Sequence, residues 1–106
     1  MDGQMKRGLL EACVLTLLSR GESYGYQLIR DLGPVMAISE STLYPVLRRL
    51  EAAGWLTVCS REHNGRLRKY YNITPAGAAR IDAFLTEWEE VDRVYRFILE
   101  EKNHEQ

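Results

Sequence analysis

The side chains of this 106-residue chain that could meet another molecule fall into two groups. Ser39, Ser41, Thr42, Tyr44 and Arg48 stand close together, and Arg66 and Lys69 follow in a second basic stretch. Hydroxyls and guanidinium groups in this mixture donate hydrogen bonds to phosphate oxygens and to base edges. The second group is smaller: Trp88 and Asp92 stand one helical turn apart. An aromatic face with a carboxylate beside it can hold a planar molecule, and an aromatic ring there can equally be plain packing.

The same inventory argues against catalysis. His63 and His104 have no nucleophile or carboxylate partner at a useful spacing, and no glycine-rich phosphate loop occurs. Cys13 and Cys59 form no CxxC pair and have no histidine neighbours, so neither a metal site nor a cofactor is expected. Cys13 lies in so apolar a run that it reads as a buried thiol. The chain is expected not to be an enzyme.

Elements must position these side chains. At about 100° per residue, Leu43, Val46, Leu47 and Leu50 fall on one side of a helix beginning near Ser39. Ser41, Pro45, Arg48 and Ala52 fall opposite, with Thr42, Tyr44 and Arg49 on the flanks. That small, hydroxylated and basic face suits a groove better than a core. Ser39 is placed to cap the helix and Gly54 to stop it. Pro45 removes an amide donor and crowds the preceding turn, which predicts a distorted or kinked start.

Upstream, Met5–Ser19 reads as a helix, with Leu9, Leu10, Cys13, Val14, Leu17 and Leu18 covering far more than one face. Lys6 and Arg7 at its start are either solvated charges or within reach of a phosphate. Gly21 closes this helix, and Ser23 is placed to cap a second over Tyr24–Leu32, whose buried side is read as Tyr26, Leu28, Ile29 and Leu32. Gly25 inside that helix marks a close approach of another element, and Gly33-Pro34 ends it. Downstream, Trp55–Glu62 and Arg66–Ile73 read as strands joined through His63-Asn64-Gly65, an Asn-Gly turn signal. A helix-turn-helix followed by a hairpin is a winged helix. Its wing carries Arg61, Arg66, Arg68 and Lys69.

Thr74-Pro75 opens a last helix that continues without a breaker to about Lys102. Ile81, Phe84, Trp88, Val91, Tyr95 and Ile98 follow alternating spacings of four and three, which is a heptad seam. One small winged helix cannot cover so long a stripe. A homodimer is expected, with the first helix of a second copy, through Leu9 and Cys13, helping to bury it. The expected fold class is therefore α+β, mostly α. Residues 1–74 form the winged helix-turn-helix and residues 75–106 the dimerisation helix.

The net charge of −1 conceals an asymmetry. Between Ser39 and Thr74 six Lys/Arg stand against three acids, whereas from Pro75 onward four stand against eight. A basic middle beside an acidic tail fits a local nucleic-acid footprint. No apolar run approaches a membrane span and no signal-peptide pattern opens the chain, so a cytoplasmic protein is expected.

Three motifs, SYGYQL at Ser23–Leu28, STLYPVLRRLEAAGWL at Ser41–Leu56 and GRLRKYYNITPAG at Gly65–Gly77, resemble the PadR-like transcriptional regulators. The likeness extends over nearly the whole chain and is closest to the short branch, in which one long helix makes the dimer. It implies a homodimeric repressor that binds a pseudo-palindromic operator in double-stranded DNA and is released by a small molecule. It also implies that Ser41, Thr42 and Tyr44 lie against DNA, and that Arg66 and Lys69 are wing contacts to backbone or minor groove. Trp88 and Asp92 would line the central dimer pocket, as in drug-responsive members. Leu67 departs from the family pattern, in which a Gly or an Arg-like residue is common. Glu87, Glu89 and Glu90 either favour an aromatic or cationic effector or are solvated heptad positions. The alternative reading is a winged helix that contacts protein and no DNA.

Overall fold

Asp2 sets the first helix. Its carboxylate accepts the amides of Gln4 at 2.8 Å and Met5 at 2.9 Å, so helix α1 spans Gly3–Leu18 and begins two residues before the expected Met5. In this computed structural model, which describes residues 1–104, α1 is followed by α2 (Gly25–Leu32), α3 (Glu40–Ala52), β1 (Leu56–His63), β2 (Arg66–Ile73) and α4 (Pro75–His104). This is a mostly helical α+β winged helix-turn-helix with a long C-terminal helix. The last two residues of the expected dimerisation segment lie outside the described residues.

The core is built where the apolar spacing placed it. Leu10, Val14, Leu15 and Leu18 of α1 pack with Leu28 and Leu32 of α2 and with Leu43, Val46, Leu47 and Leu50 of α3. Leu56 and Tyr71 close it from the hairpin. Tyr26 does not belong to it: the ring is 63 % exposed. Its phenol lies beside Glu40, whose carboxylate raises the Tyr26 pKa above the ordinary tyrosine value.

Two cap assignments change. Ser23 is not a helix cap: its N–H and C=O pair with Tyr71 at 3.1 and 2.8 Å, a short bridge that ties the α1–α2 connector to the hairpin. Tyr24 takes the cap position without a side-chain bond. Ser39 does hold the cap position of α3, but its hydroxyl turns sideways to Ser41 Oγ at 2.9 Å rather than to a helix amide. Gly25 is a close-approach position as expected. A Cβ there would collide with the Tyr44 hydroxyl.

Helix α3 is continuous through Pro45. Pro45 and Ser41 are both exposed, so the Ser41 carbonyl that loses its helical donor turns to water instead of being orphaned in the core. The helix ends in a Schellman motif. Gly54, at φ +80°, donates to Glu51 C=O at 2.9 Å while Trp55 N–H reaches Leu50 C=O at 3.0 Å.

The hairpin pairs antiparallel from Leu56↔Ile73 to His63↔Arg66. Asn64 and Gly65 form the turn with φ of +53° and +80°, the two positive values a primed turn demands. Trp55 is not part of the strand. It belongs to the helix stop, and its C=O accepts Thr74 N–H at 3.1 Å. Thr74 then starts α4: its hydroxyl accepts Gly77 N–H at 3.1 Å and donates to Gly54 C=O at 2.7 Å. The first turns of α4 lie against α1 through Ile81. The rest extends beyond the head, which stretches the molecule to 63 × 26 × 21 Å.

Candidate nucleic-acid interface

Helix α3 presents a narrow exposed ridge of Ser41, Pro45 and Arg48. Ser39, Ser41 and Thr42 share hydroxyl contacts of 2.9 and 3.4 Å at its N-terminal end. Tyr44 is half-buried on one flank, seated over Gly25. Behind it Tyr71 is buried, and burial raises its phenol pKa, with Tyr44 and Glu51 adding to the shift and Arg48 opposing it. Arg49, on the other flank, is committed to Glu11 of α1, with Nη2 at 2.8 Å and Nε at 3.2 Å. It therefore locks α3 to α1, while Arg48 stays free for a ligand.

The four wing cations divide in the same way. Arg61 forms a two-pronged ion pair with Glu22 and lies 3.9 Å over the Tyr70 ring. Arg68 lies 3.6 Å over Tyr24 and donates to the Tyr70 hydroxyl at 2.8 Å. Tyr24 and Tyr70 meet edge to face at 5.9 Å, and Asn72 donates to Glu22 at 3.1 Å. Cations stacked on aromatic faces in this manner hold a hairpin at a fixed angle. Arg66 and Lys69 make no ion pair among the described residues. With Tyr24, Tyr44 and Leu67 they border a groove of about 560 Å³ between the wing and α3. From α3, Tyr44 thus shares this groove with Arg66 and Lys69, while Ser41 and Arg48 stand exposed on the ridge beside it.

Glu22 was missed by the sequence reading, because its partners Arg61 and Asn72 lie 39 and 50 positions away. The hydrogen bond from Arg61, then that from Asn72, hold its carboxyl below the ordinary glutamate range. A depressed folded-state pKa contributes stability that is complete above the unfolded value, near about 4.3, and is lost as pH falls through the folded value. Glu22→Gln is therefore expected to flatten the fall in melting temperature between about pH 6 and 3, as thermal melts would show. The exposed site keeps the effect small.

The second candidate group lies on α4. Phe84 and Trp88 stack at 5.6 Å. Ile81 and Phe84 face α1, and with Leu9, Cys13, Leu17 and Leu85 they line an apolar groove of about 280 Å³. Burial raises the Cys13 thiol pKa. Asp92 accepts Arg96 Nε at 2.8 Å and does not meet Trp88 in a closed pocket within one chain. Val91, Tyr95 and Ile98 are 44–60 % exposed. Among the described residues no cluster of His, Cys, Asp or Glu could hold a metal ion, and no helix is long and apolar enough to cross a membrane.

Known proteins share this fold. The model of the transcriptional regulator PadR-like family matches residues 14–83. A transcriptional regulator of Mycobacterium tuberculosis is 35 % identical over 79 residues, 74 % of either chain. The structure of a Clostridium thermocellum transcriptional regulator superposes with a TM-score of 0.81 at 31 % identity, covering 91 % of this chain and 95 % of that one. Bacillus subtilis PadR in complex with operator DNA has a TM-score of 0.66 at 27 % identity, over 73 % of this chain and 45 % of that one. The family match covers most of the winged helix and the start of α4, and the structural likeness extends along nearly the whole chain. The chain belongs to the PadR-like family of transcriptional regulators and is not an enzyme.

Proposed function

We propose that this chain is a homodimeric, DNA-binding repressor whose α3 enters the major groove of a pseudo-palindromic operator. One observation carries the reading: Tyr44, on the flank of the exposed α3 ridge, shares a groove with Arg66 and Lys69, the two wing cations that make no ion pair among the described residues. Ser39, Ser41, Thr42, Tyr44 and Arg48 approach the bases and adjacent phosphates, and Arg66 and Lys69 approach the backbone or minor groove. The operator-bound Bacillus subtilis PadR supports this use of the shared fold. Titrating a labelled duplex from the region upstream of the protein's own gene tests it. Sequence-selective, salt-sensitive binding is expected. Its absence at low micromolar protein would favour a winged helix that contacts only protein.

Residues 1–74 serve as the head and residues 75–106 as the dimerisation tail. The support is the uncovered apolar face of α4. Val91, Tyr95 and Ile98 are left exposed by the described residues, and Leu85, Val94, Phe97 and Leu99 widen the exposed stripe. A second copy would cover this face and seat against Leu9 and Cys13 in the groove beside α1, with Ile81 and Phe84 continuing the seam. The two Trp88 rings would then approach near the dimer axis with Asp92 close by, among Glu87, Glu89 and Glu90. That site suits a planar aromatic or cationic effector, and an effector that prefers a head spacing unfit for the operator would release DNA. Trp88→Ala is expected to abolish quenching of intrinsic fluorescence by a planar aromatic cation while the dimer persists in sedimentation. A monomeric variant with no ligand defect would make Trp88 packing alone.

A further inference from the structure

The ridge of α3 has two flanks, and the wing serves only one. On the other, α1 and α3 run side by side with their N-terminal ends together. The Glu11–Arg49 ion pair fixes this alignment. One turn earlier on α1 stands Arg7, and one turn earlier on α3 stands Pro45. There Lys6, Arg7 and Gly3 of α1 face Thr42, Pro45 and Val46 of α3 across a groove of about 400 Å³.

The charge in this groove is unspent. Lys6 and Arg7 are exposed and make no ion pair among the described residues. The nearest acids are both occupied: Asp2 accepts the amides of Gln4 and Met5, and Glu11 holds Arg49. Thr42 adds a hydroxyl whose nearest partner, Ser39 Oγ, is 3.4 Å away. Two cations and a hydroxyl therefore border a space that none of the described residues fills.

Around the axis of α3, Tyr44 and Thr42 lie on opposite sides of the ridge formed by Ser41, Pro45 and Arg48. A helix lying in the major groove, about 12 Å wide, has a sugar–phosphate strand on either side. On DNA bound that way, the wing groove would meet one strand and the Lys6–Arg7 groove the other. We infer that Lys6, Arg7 and Thr42 form a second phosphate clamp, which grips the backbone strand on the flank of α3 away from the wing. This rests on the DNA-binding reading above. The clamp adds affinity and fixes how deeply α3 sits, and it carries no sequence preference of its own.

The test is the salt dependence of binding to a labelled duplex from the protein's own upstream region and to a scrambled duplex, between about 50 and 200 mM salt. Lys6→Gln with Arg7→Gln is expected to reduce the slope of log K against log salt by about 4, one for each phosphate contact of the two heads of a bound dimer, on both duplexes. The charge-preserving pair Lys6→Arg with Arg7→Lys is expected to keep the wild-type slope. An unchanged slope in the neutral pair would overturn the clamp, while a lowered slope in Arg66→Gln with Lys69→Gln would show that the DNA-binding reading survives it. A neutral pair whose slope falls only together with its helix content would overturn it as well, since the loss would then be structural. A wild-type protein that binds neither duplex would remove both readings together.

Discussion

Placing glutamate at both Val94 and Ile98 is expected to turn the dimer into a monomer and to weaken operator binding on the order of 100- to 10,000-fold, the advantage that linking two sites confers. These side chains are 53 % and 59 % exposed in the single chain, and they lie on the part of α4 that has left the head. Substitution there removes no contact from the protein's own core, so the melting of the head should change little. The loss would come from two sources: carboxylates in a face that must be desolvated, and a second head no longer held at the operator. Sedimentation and a duplex titration on the same sample read both quantities. A variant that stays dimeric places the interface elsewhere. A clean monomer with undiminished operator affinity contradicts the two-headed account.

The second large effect is on the head itself. Gly77→Ala is expected to destabilise the fold by about 3 kcal/mol, as overpacking a tight site does, and to lower the melting temperature on the order of 10 °C. A Cβ at Gly77 would collide with the Trp55 carbonyl and with the Ile73 side chain. The Trp55 carbonyl cannot yield easily, because it accepts Thr74 N–H at 3.1 Å. Thr74 in turn ties Gly54 to the start of α4. One methyl group would therefore strain the helix stop after α3, the end of β2 and the entry to α4 together. Gly8→Ala is the control: it lies in α1 with nothing within 4 Å of an added Cβ, and it should stabilise by about 0.5–1 kcal/mol. Melts compared at equal protein concentration check both, since a dimer's melting depends on concentration.

The parts of the fold that were legible in the sequence rest on local rules. The four buried residues of α3 follow from its apolar spacing, the hairpin register from Asn64-Gly65, and the start of α4 from Thr74-Pro75. Ser23 was misread for the opposite reason. A serine before a helix looks like a cap, but its backbone is claimed by Tyr71, far along the chain, and the longer-range pairing wins. The cost of Pro45 depends on whether the Ser41 carbonyl reaches water, which spacing alone does not reveal. In the candidate site, residue types identified Arg66 and Lys69 but gave no way to separate them from Arg61 and Arg68. That separation is made by Glu22, Tyr24 and Tyr70, whose approach is a product of the tertiary fold. Tyr26 shows the same limit from the other side, since an aromatic in a helical stripe looks buried, yet the fold leaves this one exposed beside Glu40.

Whether α3 reads DNA is decided by titrating a labelled upstream duplex and its scrambled counterpart with the wild-type protein and with Arg48→Ala over a range of salt. The account predicts tight binding to the upstream duplex, weaker binding to the scrambled one, and affinity for both that falls steeply as salt rises. Arg48→Ala should lose about 1–3 kcal/mol on the upstream duplex and little on the scrambled one. Equal binding to the two duplexes by the wild-type protein, or an Arg48→Ala variant that discriminates between them as well as the wild type does, would contradict it.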